Sequence, residues 1–322
     1  MNVHEIPVIT SNYWEMATAG CSSGMEEWFM QRTARKQHVA TKKVGWPYLA
    51  RLSAFFVISL LGGLYLVFAP MVNRDFYNVE VLFKPVRCSD FNRVWFGRQA
   101  QEVWFTNKAG TRLCGLFLPS PAAKHVILIH HGQFGNLNHH LPGSGFLLQP
   151  ENALFIYDYA GFGKSEGSPT IRGMMDDARA AYDCLVTQLE VDPKTIVHYG
   201  GSLGTGPAAL LAAEKPCAGL VLVSPYTSLK AQARDTFPFL NIYPDCLIAD
   251  ADFDTLDNVR RLTVPVLIVH GTSDPCIRIH HGDSVYAAAH DPKTYLRVSN
   301  GGHAAIASDD VKRKVLRFIH EL

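Results

Sequence analysis

Along residues 102–120 ("EVWFTNKAGTRLCGLFLPS") apolar and polar positions alternate on either side of Asn107-Lys108-Ala109-Gly110, the pattern of an antiparallel hairpin. The pattern then changes. "HVILIHH" (125–131), "ALFIYDYAGFGKSEG" (153–167), "TIVHYGG" (195–201), "AGLVLVSPY" (218–226), "VPVLIVHG" (264–271) and "TYLRVSNGG" (294–302) open on continuous apolar runs, as strands covered on both faces do. Between them "MMDDARAAYDCLVTQL" (174–189) and "GPAALLAAE" (206–214) read as helices, and "SDDVKRKVLRFIHEL" (308–322) has the spacing of an amphipathic closing helix. Buried strands alternating with helices after an opening hairpin predict one α/β domain over residues 71–322 with a mostly parallel sheet.

A different pattern precedes it. Residues 52–69 of "LSAFFVISLLGGLYLVFAP" (52–70) hold eighteen uncharged, mostly apolar positions. At a rise of ~1.5 Å per residue they approach the ~30 Å of a bilayer's hydrocarbon core, which predicts a transmembrane helix. A cleaved signal peptide is the rival reading, since Val67-Phe68-Ala69 loosely fits a cleavage pattern. Pro70 after the cut and the length of the preceding segment oppose it. Residues 1–51 show little apolar periodicity and read as a poorly ordered segment. They carry Arg32, Arg35, Lys36, Lys42, Lys43 and Arg51, against Arg74, Lys84 and Arg87 after the span, so the charge bias keeps the N-terminus cytoplasmic and sends the large domain across.

Composition narrows the function. A net charge of +1 without a basic stripe makes nucleic acid an unlikely partner. Seven scattered cysteines form no C-x-x-C pair, so they read as small hydrophobes rather than a disulfide framework or a zinc site. His130, His131, His139 and His140 invite a metal reading, but adjacent strand residues face opposite ways and no acidic partner repeats at ligand spacing. No metal and no cofactor is expected.

Ligands of open α/β sheets bind at the carboxyl ends of the strands, so the turns there carry the chemistry. Strand "TIVHYG" runs into Gly200-Gly201-Ser202-Leu203-Gly204 and at once into a helix, the setting of a G-x-S-x-G nucleophile elbow. Gly200 and Gly204 read as the pair the sharp turn requires, Gly201 as easing approach to the serine, and Gly206 as helix-start geometry. A serine needs a base and the base an orienting carboxylate. Asp274 and His303 follow the next two suitable strand ends, in the order Ser…Asp…His that the elbow architecture predicts. Asp250, Asp252 and Asp254 are competing carboxylates with no strand before them. The developing oxyanion needs donors. The backbone N–H of Leu203 is one, and that of Gln133, with Phe134 as second choice, the other.

With "HHGQFGN", "YDYAGFGKSEGSPT", "GGSLGTG", "VLVSPYTSL", "VPVLIVHGTSDPCI" and "NGGHA" in this order, residues 100–320 resemble the α/β-hydrolase fold serine hydrolases. They look most like the membrane-anchored branch that includes monoacylglycerol and lysophospholipid lipases, protein depalmitoylases and many bacterial relatives. The resemblance implies Ser202 as nucleophile, Asp274 as acid, His303 as base, and Gln133 and Leu203 as oxyanion donors. Gln133-Phe134 departs from the Asn-Ala of many members. The stretch between "SPYTSL" and "VPVLIVHG" is only about 35 residues, leaving room for a small lid. Its segment "DTFPFLNIYPD" (235–245), with Phe237, Phe239 and Tyr243, is expected to line an acyl pocket together with Phe134. The expected substrate is a small-molecule or lipid-like ester or thioester reached from a membrane. An aminopeptidase or amidase would use the same triad, and a non-catalytic binding protein on this fold would usually lack one of its members.

Overall fold

The computed structural model describes residues 46–72, 77–248 and 253–322. Arg32, Arg35, Lys36, Lys42 and Lys43, Cys21, Arg74, Asp250 and Asp252 lie outside them. The chain divides into two units, 1–62 and 63–322. The described part of the first is the body of α1 (Trp46–Val67), a helix long and apolar enough to cross a membrane and exposed along its length. Ser53, one of its few polar residues, turns its hydroxyl back to the Leu49 carbonyl at 2.9 Å, which satisfies it without a partner outside the helix. Helix α1 begins earlier than Leu52 because Pro47 is tolerated in a first turn. It ends at Val67 rather than Pro70, since a proline disfavours helical backbone before it.

The second unit is built on an eight-stranded sheet. Its strands are β1 (Gln101–Thr106), β2 (Arg112–Leu118), β3 (His125–His130), β4 (Asn152–Tyr157), β5 (Ile196–Gly201), β6 (Gly219–Val223), β7 (Val266–Gly271) and β8 (Lys293–Val298). Their order across the sheet is β1-β2-β4-β3-β5-β6-β7-β8, with β2 alone antiparallel to its neighbours. The opening hairpin turns at Asn107, whose Oδ1 accepts from the Ala109 and Thr111 N–H groups. Strand β8 stops at Val298, short of the expected 302, because Asn300 takes a positive φ and turns the chain.

The continuous apolar runs are strands buried on both faces. On β3, Val126 and Leu128 enter one core while Ile127 and Ile129 enter the other. On β7, Val266 and Ile268 face α4 (Thr205–Glu214), α6 (Thr255–Arg260) and α7 (Ile279–Ala288), and Leu267 and Val269 face the side of α8 (Asp309–His320). Helices α2 (Leu137–Ser144) and α8 cover one face; α3 (Ile171–Thr187), α4 and α7 cover the other. Helix α5 (Leu229–Thr236) leads into the lid. The six described cysteines are free thiols; Cys114 and Cys184 are buried as small hydrophobes are, whereas Cys246 and Cys276 are exposed.

Candidate active site

Strand β5 ends in the tightest turn of the site. Ser202 has φ +53°, a backbone region that costs a non-glycine residue on the order of 1–3 kcal/mol and persists only when its surroundings impose it. The surroundings are backbone. A Cβ at Gly200 would stand 2.6 Å from the Gly204 carbonyl oxygen, and one at Gly204 would overlap the His130 carbonyl. Those two glycines are therefore steric necessities of the elbow. Gly201 is not, because a Cβ there meets nothing within 4 Å. Gly206 is more than helix-start geometry: a Cβ would run into the Tyr226 hydroxyl and the Phe253 ring. That close approach seats Tyr226, whose hydroxyl donates to the Leu203 carbonyl at 3.1 Å and so grips the turn from beneath.

Asp274 follows β7 and is buried. One carboxylate oxygen accepts the backbone N–H groups of Cys276 (2.8 Å) and Ile277 (3.0 Å). The other accepts His303 Nδ1 at 2.8 Å; His270 Nε2 lies 3.5 Å away and donates to the Ile277 carbonyl at 2.9 Å. Burial alone would raise this carboxyl's pKa. The neighbouring His270 ring and the bonds from His303 and the Ile277 N–H outweigh it and hold the group well below the usual carboxylate range. With the Nδ1 proton engaged by Asp274, the His303 ring presents Nε2 as an acceptor. The loop that carries His303 is tied down by Ser224, whose hydroxyl donates to the His303 carbonyl at 3.1 Å.

Ser202 and His303 open into one cavity of about 850 Å³. Among the described residues Ser202 Oγ makes no hydrogen bond to the His303 ring, a separation common before substrate is bound. Leu203 and Gln133 line the same cavity, and the Gln133 N–H has no acceptor among the described residues. The Gln133 loop is held from behind: its carbonyl accepts the Lys84 N–H at 2.9 Å, and His140 Nε2 donates to the Phe134 carbonyl at 2.7 Å. Burial, with His131 stacked alongside, pushes the pKa of His140 down to about 3, so it serves as a neutral donor. Apolar side chains such as Leu82, Ile171, Leu229 and Leu240 make up much of the remaining wall.

The expected pocket residues separate. Phe134 and Phe237 line the cavity. Phe239 and Tyr243 are corrected: Phe239 points into solvent on a 3-10 turn, and Tyr243 is consumed in packing, stacked 4.5 Å from Tyr65. Asp254, the one competing carboxylate that is described, caps α6 by accepting the Asp257 N–H at 2.8 Å. His130 is buried between Tyr157 and His198. His131 bonds the Gly132 carbonyl, and His139 bonds Asn136.

Several supporting groups were missed by the sequence reading: Ser224, Tyr226, His140 and His270. His270 and Ser224 were visible as lone polar residues ending the apolar runs "VPVLIVH" and "LVLVS". A second missed group sits at the cavity rim, where Asp235 of α5 meets His280 Nε2 at 2.7 Å and His281 Nε2 at 3.3 Å. His281 Nδ1 accepts the Thr227 N–H at 3.2 Å, and its buried Nε2 makes no hydrogen bond among the described residues. The Asp235–His280 pair links α5 to α7 at this rim.

Comparison with known proteins agrees with the fold. A model of the alpha/beta hydrolase fold matches residues 125–244. The uncharacterized protein YfhR of Salmonella typhimurium is 29% identical over 271 residues, covering 78% of this chain and 87% of its own. Alpha/beta hydrolase domain-containing protein 17B of Homo sapiens is 34% identical over 211 residues, covering 64% of this chain and 70% of its own. Among solved structures, an esterase of Pyrococcus furiosus aligns with a TM-score of 0.63 at 17% identity, covering 74% of this chain and 98% of the esterase.

Proposed function

The chain belongs to the alpha/beta hydrolase fold family, and from that premise we propose that it is a serine hydrolase cleaving carboxylic esters or thioesters of lipid-like or acylated substrates. Ser202 Oγ attacks the carbonyl carbon while His303 Nε2 takes its proton, and Asp274 holds the ring and stabilises the imidazolium. The oxyanion accepts hydrogen bonds from the Leu203 and Gln133 N–H groups, each worth about 3 kcal/mol when well placed. Collapse expels the alcohol or thiol, which takes the proton from His303. Water, deprotonated by the same ring, then releases the acid and restores Ser202.

One observation carries the reading: Ser202, at φ +53° on the elbow, shares a cavity with a histidine bonded to a buried carboxylate. The apolar wall favours an acyl chain over a bulky polar group. The Lys/Arg excess before α1 supports a cytoplasmic N-terminus with the catalytic unit across the membrane. The purified protein is expected to hydrolyse short p-nitrophenyl esters and to lose that activity as Ser202→Ala. Equal turnover by the variant would place the nucleophile elsewhere.

A further inference from the structure

The end of α1 is fastened to the lid. Tyr65 Oη donates to the Ile242 carbonyl at 3.0 Å, and Tyr243 Oη donates back to the Tyr65 carbonyl at 3.0 Å, over rings stacked at 4.5 Å. Just past the helix the Met71 N–H donates to the Leu247 carbonyl at 3.0 Å. Ala69 is fully buried in a small core with Leu240, Tyr243 and Ile248. The same stretches wall the cavity: Pro70 and Met71 from one side, Phe237, Leu240 and Ile248 from the other.

Tyr65 lies two residues before the last residue of α1, so Ile242 and Tyr243 stand at the level of the helix end, within about one turn. A tyrosine there occupies the place of an interfacial anchor. The side chains flanking these bonds are apolar and bare: Phe68 is 59% exposed, Val72 57%, Phe239 51% and Ile242 63%. Exposed apolar groups gathered in this way mark protein or membrane contact surfaces.

We propose that this rim rests in the lipid surface and that the acyl substrate enters the cavity from the bilayer, past a wall made partly by the end of α1. The inference rests on the reading of α1 as a membrane span. It makes the anchor a component of the substrate entrance and not only a tether.

The test uses the full chain reconstituted in phosphatidylcholine vesicles with an aryl diazirine confined to the bilayer, photolysed and mapped by mass spectrometry. Label is expected in α1 and also in the peptides holding Phe68–Val72 and Phe239–Ile242. The paired substitutions Val72→Asp and Ile242→Asp, both at exposed positions, are expected to lower label in those two peptides about fivefold or more while α1 keeps its own. Label confined to α1 would overturn the proposal and leave the span standing. Label absent from α1 as well would overturn the span, and the proposal with it.

Discussion

The floor of the cavity stands on strand ends, whereas its roof is held largely through side chains. Ser202, Asp274 and His303 follow β5, β7 and β8, and backbone groups fix the first two: the His130 and Gly204 carbonyls at the elbow, the Cys276 and Ile277 N–H groups at the carboxylate. The roof, α5 and the segment after it, is held by Asp235 to His280 and His281, by Arg234 to Asp245, and by Tyr65 to Ile242 and Tyr243. On the proposed reading, chemistry sits where the fold leaves least freedom, and substrate choice where single side chains can be exchanged. A substitution on the floor is expected to act on turnover, one on the roof on preference.

The largest effects test the floor. Ser202→Ala and His303→Ala are each expected to lower kcat for p-nitrophenyl butyrate on the order of a hundred-thousandfold, with the circular dichroism spectrum unchanged. Asp274→Asn is expected to cost roughly ten-thousandfold, because a neutral amide no longer selects the ring tautomer. The same variant carries a stability signature. The folded-state pKa of Asp274 is depressed, so its contribution is present above the unfolded value of about 3.9 and is lost as pH falls through the folded one. Urea denaturation should show the parent more stable than Asp274→Asn by a constant margin from about pH 7 to pH 5, narrowing below about pH 4. A margin that shrinks between pH 7 and pH 5 would mean the carboxylate is not held as described.

The two glycines beside Ser202 give an intermediate contrast. Gly204→Ala forces a methyl into the His130 carbonyl and is expected to destabilise by about 3 kcal/mol in thermal denaturation. Gly201→Ala, at φ −117° with open space, is expected to change stability by less than about 0.5 kcal/mol. Comparable losses from both would remove the steric account of the elbow. The smallest effects belong to the roof. Phe237→Ala is expected to raise KM for a soluble octanoyl ester about threefold to tenfold, and Phe239→Ala by less than about twofold, read from initial rates.

The floor was legible in the sequence because its constraints are local. A strand, a glycine two residues either side of a serine, and an aspartate and a histidine just past later strand ends all lie within short windows. Their limits show too. The letters could not tell that Gly201 is sterically idle while Gly206 is needed to seat Tyr226 under Leu203, since that contact joins residues twenty apart in the chain. The roof was poorly legible for the same reason enlarged. Phe237 and Phe239 differ by two positions in one apolar segment, and only the 3-10 turn between Pro238 and Ile242 decides which faces the cavity. Tyr243 reads as an acyl-pocket residue until Tyr65, 178 residues away, is brought against it.

The central claim is that Ser202 is the activated nucleophile of this cavity. Its most direct test is reaction of the intact protein with a fluorophosphonate, followed by mass-spectrometric location of the adduct. The account predicts a single adduct on Ser202, formed at least a hundredfold more slowly in His303→Ala, on the order expected when a general base is removed. No adduct on the intact protein, or an adduct on another residue, would contradict it.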